Sequence, residues 1–283
     1  MAQCLGMESV RPRRRLIVNA DDFGRSASIN AAVIRAHKEG ILTTASLMVN
    51  GSAFNEAVEL AHENPTLGVG LHLSLICGRS SLKPTEIPGL VDNRYQFSNN
   101  PVSTGFRYFI NPGLRAQLRH EIRAQFQKFQ LTKLPLDHVN GHLNMHLHPT
   151  IFSILRHHAM DLGIRHMRVT RDRFWLNARL AGGEWLYRVS HAVIFSMLAA
   201  RSRPALRRQD IRHTKHVFGL LQNGRVHEEY VSRLLARLPQ GDSELYCHPS
   251  LDDFKHELEA LLSTRVRQLV EANGIDLIRY QDL

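Results

Sequence analysis

Short apolar runs and amphipathic stretches take turns along this chain, and that alternation is the tightest limit on its fold. Residues 15–19, 43–49 and 67–73 read as strands, with helices at 27–39 and 53–63 between them. Ser26 or Ser28 is placed to cap the first helix, and Gly40 to end it. The pattern resumes as a charged amphipathic helix over 113–130, a strand over 135–140, a helix over 150–162 and a short strand over 164–169. It closes with a helix over 226–237, a strand over 243–247, one or two helices over 252–272 and a strand over 275–279. Strands that alternate with helices build a parallel sheet, which predicts an α/β fold with a single (β/α) barrel, incomplete or distorted. Residues 79–111, rich in Gly, Pro, Ser and Asn, read as a long functional loop. Residues 174–208 read as an inserted helical segment that ends in arginines. Neither a repeat nor a linker interrupts the pattern, so 15–283 is expected to form one domain behind a basic, flexible N-terminus of residues 1–14.

Composition removes several classes. With 283 residues, 43% of them hydrophobic and 22% charged, the chain has ample material for a core and is not a disordered protein. No apolar run reaches the roughly 18 to 20 residues of a membrane span. Arg11 to Arg15 follow the N-terminus without the charge-then-apolar order of a secretory signal, which predicts a cytoplasmic protein. Cys4, Cys77 and Cys247 are scattered and odd in number, so no disulfide framework is indicated. The net charge is +10, and arginine is concentrated at 11–15 and at 201–213. Nucleic acid, an anionic membrane surface and a merely solvated basic face would each account for it. No nucleic-acid motif is present and aromatics are not interleaved with the basic residues, so nucleic acid is not expected as a partner.

Polar residues fall just past the apolar strands. Asp21 and Asp22 close the first, His72 lies within Gly70-Leu71-His72-Leu73, and His138, His142 and His146 follow another. Cys247-His248-Pro249 ends a fourth. In parallel α/β barrels the active site lies at the C-terminal strand ends, so these groups are expected to share one rim. Two neighbouring carboxylates repel unless a cation binds one and leaves the other as a base. A bland alternative is that one of them caps the following helix. His72 alone would read as a hydrogen-bonded core residue. Four imidazoles between His138 and His148 are a poor way to build a core, because each needs polar partners. One carboxylate and two imidazoles make an open divalent site, so the remaining histidines are left as supports or substrate contacts.

The segments Ile17-Val18-Asn19-Ala20-Asp21-Asp22-Phe23-Gly24, Gly70-Leu71-His72-Leu73, the His138/His142/His146 run and Cys247-His248-Pro249 occur in that order. Together they resemble the YdjC-like carbohydrate deacetylases, within a wider superfamily of glycoside hydrolase and deacetylase barrels. The resemblance runs from 15 to 283. It implies a (β/α) barrel that removes an N-acetyl group from an amino sugar. Carried over by position, Asp22, His72 and His142 match the metal ligands and Asp21 the general base. His248 matches a rim residue and is expected to act as the acid or the oxyanion contact. Asn140 stands where many members have aspartate. That exchange and the Asn144-Met145-His146-Leu147-His148-Pro149 continuation resemble the branch associated with hopanoid biosynthesis. The implied substrate is then an N-acetylglucosaminyl hopanoid rather than a chito-oligosaccharide.

His138, His146 and Asn140 are expected to contact substrate or support the ligands, and Phe218 and Gly219 to line the pocket. The cofactor is one divalent ion, Mg2+ or Zn2+; the two-histidine, one-aspartate set suits zinc, whereas magnesium favours more oxygen ligands. Either residues 174–208 simply pack on the barrel, or their basic amphipathic surface meets the inner face of a membrane and receives a lipid-linked substrate. A homodimer is compatible with the sequence. The competing functions are a chito-oligosaccharide deacetylase, a metal-dependent phosphoesterase or glycosidase on a similar barrel, and a non-enzymatic basic membrane-surface protein.

Overall fold

The structure, a computed structural model, describes residues 13–283. The expected flexible N-terminus therefore lies outside the described residues except for Arg13 and Arg14, and Arg14 already pairs with Gly241 and Ile275. In chain order the elements are β1 Arg14–Phe23, α1 Ala27–Glu39, β2 Thr44–Leu47, α2 Phe54–Glu63, β3 Gly68–Leu73, α3 Pro101–Ile110 and α4 Leu114–Leu131. They continue with β4 Val139–Gly141, α5 Pro149–His157, α6 Phe174–Leu180, α7 Trp185–Arg207, β5 His216–Phe218 and α8 Glu228–Ala236. The last are β6 Gly241–Cys247, α9 Lys255–Leu262, α10 Thr264–Ala272 and β7 Ile275–Leu277.

Every strand pair is parallel, in the order β4-β3-β2-β1-β6-β5. The short β7 pairs with Arg14–Leu16 of β1, below the stretch from Asn19 to Phe23 that pairs with β2. The expected strand over 164–169 is not a ladder. It crosses the gap between β4 and β5 by single links: Met167 bridges to Val139, and the Val217 N–H donates to the Arg171 carbonyl. The result is one barrel, distorted on that side.

The strands obey a period of two, and the two sets of side chains have opposite chemistry. Leu16, Val18, Ala20, Ala45, Leu47, Val69, Leu71, Leu73, Val139 and Leu245 belong to the main apolar core. Asn19, Asp21, Thr44, Ser46, His72, His138, Asn140 and Glu244 alternate with them and are buried too. The second set is linked by hydrogen bonds, so this lumen is a polar network rather than the layered aliphatic filling common in such barrels. Gly70 belongs to the inward set, and a Cβ there would lie 2.5 Å from the His138 ring. Glycine at that position makes room for the imidazole.

Ser26, not Ser28, caps α1: its side chain accepts from the Ile29 N–H. The region 79–111 is not all loop, because ten of its last eleven residues form α3. Asn100 caps that helix through the Ser103 N–H and Pro101 occupies its first turn, a start signal within a loop-like composition. β5 was also hidden in the sequence, being three residues long next to a glycine.

The insertion is pinned to the barrel by buried polar groups. Arg188 donates to the Ala181 carbonyl at 2.7 Å and to Asn177 Oδ1 at 2.6 Å, and Asn177 donates to Tyr230 at 3.1 Å. Asp172 accepts from the Leu221 N–H at 3.3 Å, and burial pushes its pKa up to about 7. Its folded value lies above the unfolded value, so the native state holds the proton more tightly. The stability this brings is complete below about pH 4 and is lost as pH rises through about 7. Asp172→Asn is therefore expected to flatten the fall in melting temperature between about pH 5 and pH 8. A parallel fall in both proteins would clear Asp172 of that role.

Candidate active site

Because all strands run the same way, the ends of β1, β3, β4 and β6 meet at one rim. Asp21 and Asp22 are consecutive, and Asp22 has φ +66°, a left-handed backbone that aspartate adopts at a cost. That turn brings both carboxylates to one cavity. Leu143 and Asn144, which line the same cavity after β4, have φ +50° and +57°. Backbone strain thus gathers at this rim.

Nitrogens of His72 and His142 approach Asp22 Oδ1 at 3.2 and 3.0 Å. One donor atom from each of Asp22, His72 and His142 lies within 4.8 Å of the others, and all three residues are buried. The tautomer of His72 follows from its neighbour: Nδ1 lies 2.7 Å from Asn140 Oδ1, which only accepts, so Nδ1 carries the hydrogen. Nε2 then faces a carboxylate oxygen with a lone pair, and it is a buried atom without a hydrogen-bond partner. Only a cation or a second proton relieves that contact, so the donor set fits a divalent ion. Burial raises the Asp22 pKa, but the adjoining His142 and His72 outweigh it and hold the carboxyl well below the usual range. Arg25, 54% exposed at the mouth, pairs with the other oxygen of Asp22 at 2.7 Å.

Asp21 sits on a clamp that the sequence analysis did not anticipate. The Arg168 guanidinium donates to both of its oxygens, at 2.7 and 3.0 Å, and through Nε to Glu244 at 2.8 Å. It also lies 4.3 Å from the centre of the Tyr246 ring. Arg168 is fully buried. Burial raises the Asp21 pKa, but the charges of Arg168 and His72 and the Arg168 hydrogen bond together outweigh it and keep Asp21 ionised. Asn19 and Asn140 also donate to Oδ1, at 2.8 and 3.0 Å. Oδ1 therefore receives three donors and Oδ2 one, which leaves Oδ2 the oxygen with a lone pair to spare. Aspartate in place of Asn140 would set a further negative charge against Asp21, where the amide donates instead.

The cleft above these groups encloses about 410 Å³. Asp21, Asp22, His72, His142 and His248 all line it, so the structure brings together both carboxylates and three of the imidazoles singled out from the sequence. The His248 ring stands beside Tyr246 and Phe254, with centroids 5.9 and 6.2 Å away, and its backbone N–H is held by Glu257. Asn140 lies beneath, oriented by Ser46 at 2.8 Å.

Four of the expected residues do not line the cleft. His138 does not reach the cleft: two residues before Asn140 on an inward-facing strand, it lies one layer deeper. There it bonds Ser46 and Asp137, each at 2.9 Å, and stacks on Tyr280. His146 braces the irregular segment through the Arg168 carbonyl at 3.0 Å, and burial pushes its pKa down to about 3, so it is neutral. Phe218 is buried core. Gly219 is a close approach to β6, not to a ligand: a Cβ there would fall 2.3 Å from the Tyr246 carbonyl oxygen. Leu220, one residue on, is the side chain that reaches the cleft. The opposite wall comes from α7, where Tyr187, His191 and Phe195 recur every four residues on one helix face. That spacing was visible in the sequence among too many other apolar residues to single out.

A distorted parallel barrel that sets a carboxylate and two imidazoles at its strand ends, beside a second, clamped carboxylate, is the build of a barrel hydrolase with a site able to hold a divalent ion. The chain belongs to the YdjC-like protein family, whose model matches residues 15–272. It is 28% identical over 284 residues to a carbohydrate deacetylase of Clostridium beijerinckii, an alignment covering 95% of this chain and all of that one. A carbohydrate deacetylase of Brevibacillus brevis is 42% identical over 141 residues, covering 50% of this chain and 54% of the relative. A solved Enterococcus faecalis protein, ascribed to cellobiose-phosphate cleavage, superposes with a TM-score of 0.73 at 23% identity, over 95% of this chain and 98% of its own, and shares the fold. The chain is an enzyme of a family whose curated members include carbohydrate deacetylases.

Proposed function

We propose that the chain removes the N-acetyl group from an amino sugar with the help of one divalent ion, Zn2+ or Mg2+, held by Asp22, His72 and His142. The convergence of those three residues beside a clamped Asp21 carries this reading. The ion, when bound, would polarise the acetamide carbonyl. Asp21 Oδ2 accepts the proton of the attacking water, while Arg168, Asn19 and Asn140 hold the carboxylate in place. His248, at the rim, donates a proton to the leaving amine. Asp21→Asn is expected to lower kcat by about 10²- to 10⁴-fold with metal content unchanged. Unchanged turnover would remove Asp21 as the base.

The favoured substrate is a lipid-linked amino sugar, an N-acetylglucosaminyl hopanoid, met at the cytoplasmic face of a membrane. The half-apolar wall of Tyr187, His191, Phe195 and Leu220 supports this, since it offers a bulky apolar aglycone a surface beside the sugar. The test is acetate release from N-acetylglucosaminyl hopanoid in detergent and from chitobiose, with released phosphate and reducing sugar followed on matched substrates. We expect acetate from both and a kcat/KM about tenfold or more higher for the lipid-linked sugar. Preference for chitobiose would leave a chito-oligosaccharide deacetylase. Phosphate or reducing sugar without acetate would replace the reaction class.

A further inference from the structure

Three helices near the cleft expose large apolar side chains to solvent. On α3, Val102, Phe106, Phe109 and Ile110 form one face, with Phe106 64% exposed. The opposite face of α3 is anchored by Tyr108, which donates to the Leu75 carbonyl. On α7, Leu186, Val189, Val193 and Met197 form a ridge turned away from the cleft-lining face, and Leu186 is 86% exposed. Both tryptophans of the chain, Trp175 on α6 and Trp185 on α7, are exposed, Trp175 at 78%, and both rings lie against Phe174. α3 and α7 both pack on α5, and both reach the cleft, α3 through Pro101. The apolar surface therefore borders the mouth of the site. Patches of this kind on a monomer mark a binding surface.

Charge indicates what covers it. None of the three helices contains an Asp or Glu. Residues 101–209 hold 17 Lys and Arg against five Asp and Glu, so this stretch alone exceeds the net +10 of the whole chain. Of those five acids, Glu121, Asp137 and Asp172 are buried. Exposed arginines stand among the apolar residues: Arg107 on α3, Arg179 on α6, and Arg201, Arg207 and Arg208 where the α7 ridge ends. Apolar ridges with interfacial tryptophans and flanking arginines match the layered chemistry of an anionic lipid surface, in which acyl chains lie beneath negative headgroups. No helix among the described residues is long and apolar enough to cross a membrane.

We propose that the exposed faces of α3, α6 and α7 are one docking surface for an anionic lipid bilayer, which sets the mouth of the cleft against the membrane. The inference deepens the lipid-linked reading above and rests on it for its purpose. Its measurement needs neither substrate nor metal. The full chain is mixed with vesicles of phosphatidylcholine alone or with phosphatidylglycerol added. Because both tryptophans lie on the docking face, their emission reports insertion directly. We expect a blue shift and co-sedimentation with the anionic vesicles, about tenfold weaker with phosphatidylcholine and weakened by salt. The F106S/F109S/L186S/V193S chain is expected to lose about tenfold or more in vesicle affinity and to keep its acetate release from chitobiose within about twofold. The absence of both a blue shift and co-sedimentation with anionic vesicles would overturn the proposal. So would a concentration-dependent dimer of the intact chain that these substitutions abolish without any vesicle binding, since a second copy would then cover the face. Vesicle binding without turnover of the lipid-linked sugar would leave the docking surface standing and remove only the substrate.

Discussion

His72→Ala is expected to leave the protein without bound metal and to lower acetate release by about 10³-fold or more, the scale of losing a metal's several kcal/mol of charge stabilisation. The expectation rests on how few ligands the site has. Asp22, His72 and His142 are the only described group of three or more His, Cys, Asp or Glu residues with donor atoms in mutual reach, so no fourth side chain substitutes for a lost one. Asp22→Ala and His142→Ala should behave alike. Asn140→Ala should be milder, about 10- to 100-fold in metal affinity, because it orients His72 through Nδ1 rather than coordinating. Elemental analysis after dialysis, with circular dichroism to confirm folding, separates these outcomes. One full equivalent of metal in folded His72→Ala would exclude that residue as a ligand.

Arg168→Met should be the most damaging substitution to stability. It replaces the cation between two buried carboxylates, Asp21 and Glu244, with a thioether. Breaking a buried pair from one side costs about 3–5 kcal/mol, because the partner stays buried and uncompensated. In a chain of this size that corresponds to a melting temperature lower by about 10 °C. Glu244 also accepts from the buried Tyr280 hydroxyl, so the strand floor around it should loosen as well. Adding Glu244→Gln removes one of the two stranded charges and should restore much of the stability. Turnover should stay low in the double variant, since Asp21 is still unclamped. Recovery of both would reduce Arg168 to a charge balance with no part in positioning the base.

The residues of the clamp show where sequence reading stops. Asp21 and Arg168 are 147 positions apart, and Arg168 lies on a segment that makes single bridges rather than a strand. Nothing local distinguishes it from the chain's other arginines. The histidines between 138 and 148 show the same limit. Their number pointed to a polar site, yet only His142 lines the cleft. Its position past the end of β4 decides that, together with the left-handed turn at Leu143 and Asn144, whereas His138 is held a layer below by strand parity. α7 was legible as an apolar, acid-free insertion. That one of its faces walls the cleft and another meets solvent depends on how Arg188 and Asn177 dock it.

What the amino-acid order determined alone is the alternation itself. Strand–helix repetition demands parallel strands, and parallel strands carry their C-terminal ends to one rim; the acids and imidazoles placed after the apolar runs had to meet there. Period two within those runs also made the lumen polar, as in Asn19-Ala20-Asp21 and His138-Val139-Asn140. The tertiary structure alone decided which of the gathered groups face a shared space and which face one another. That choice turns on distances of a few ångströms between residues far apart in the chain, and no local propensity or spacing encodes it.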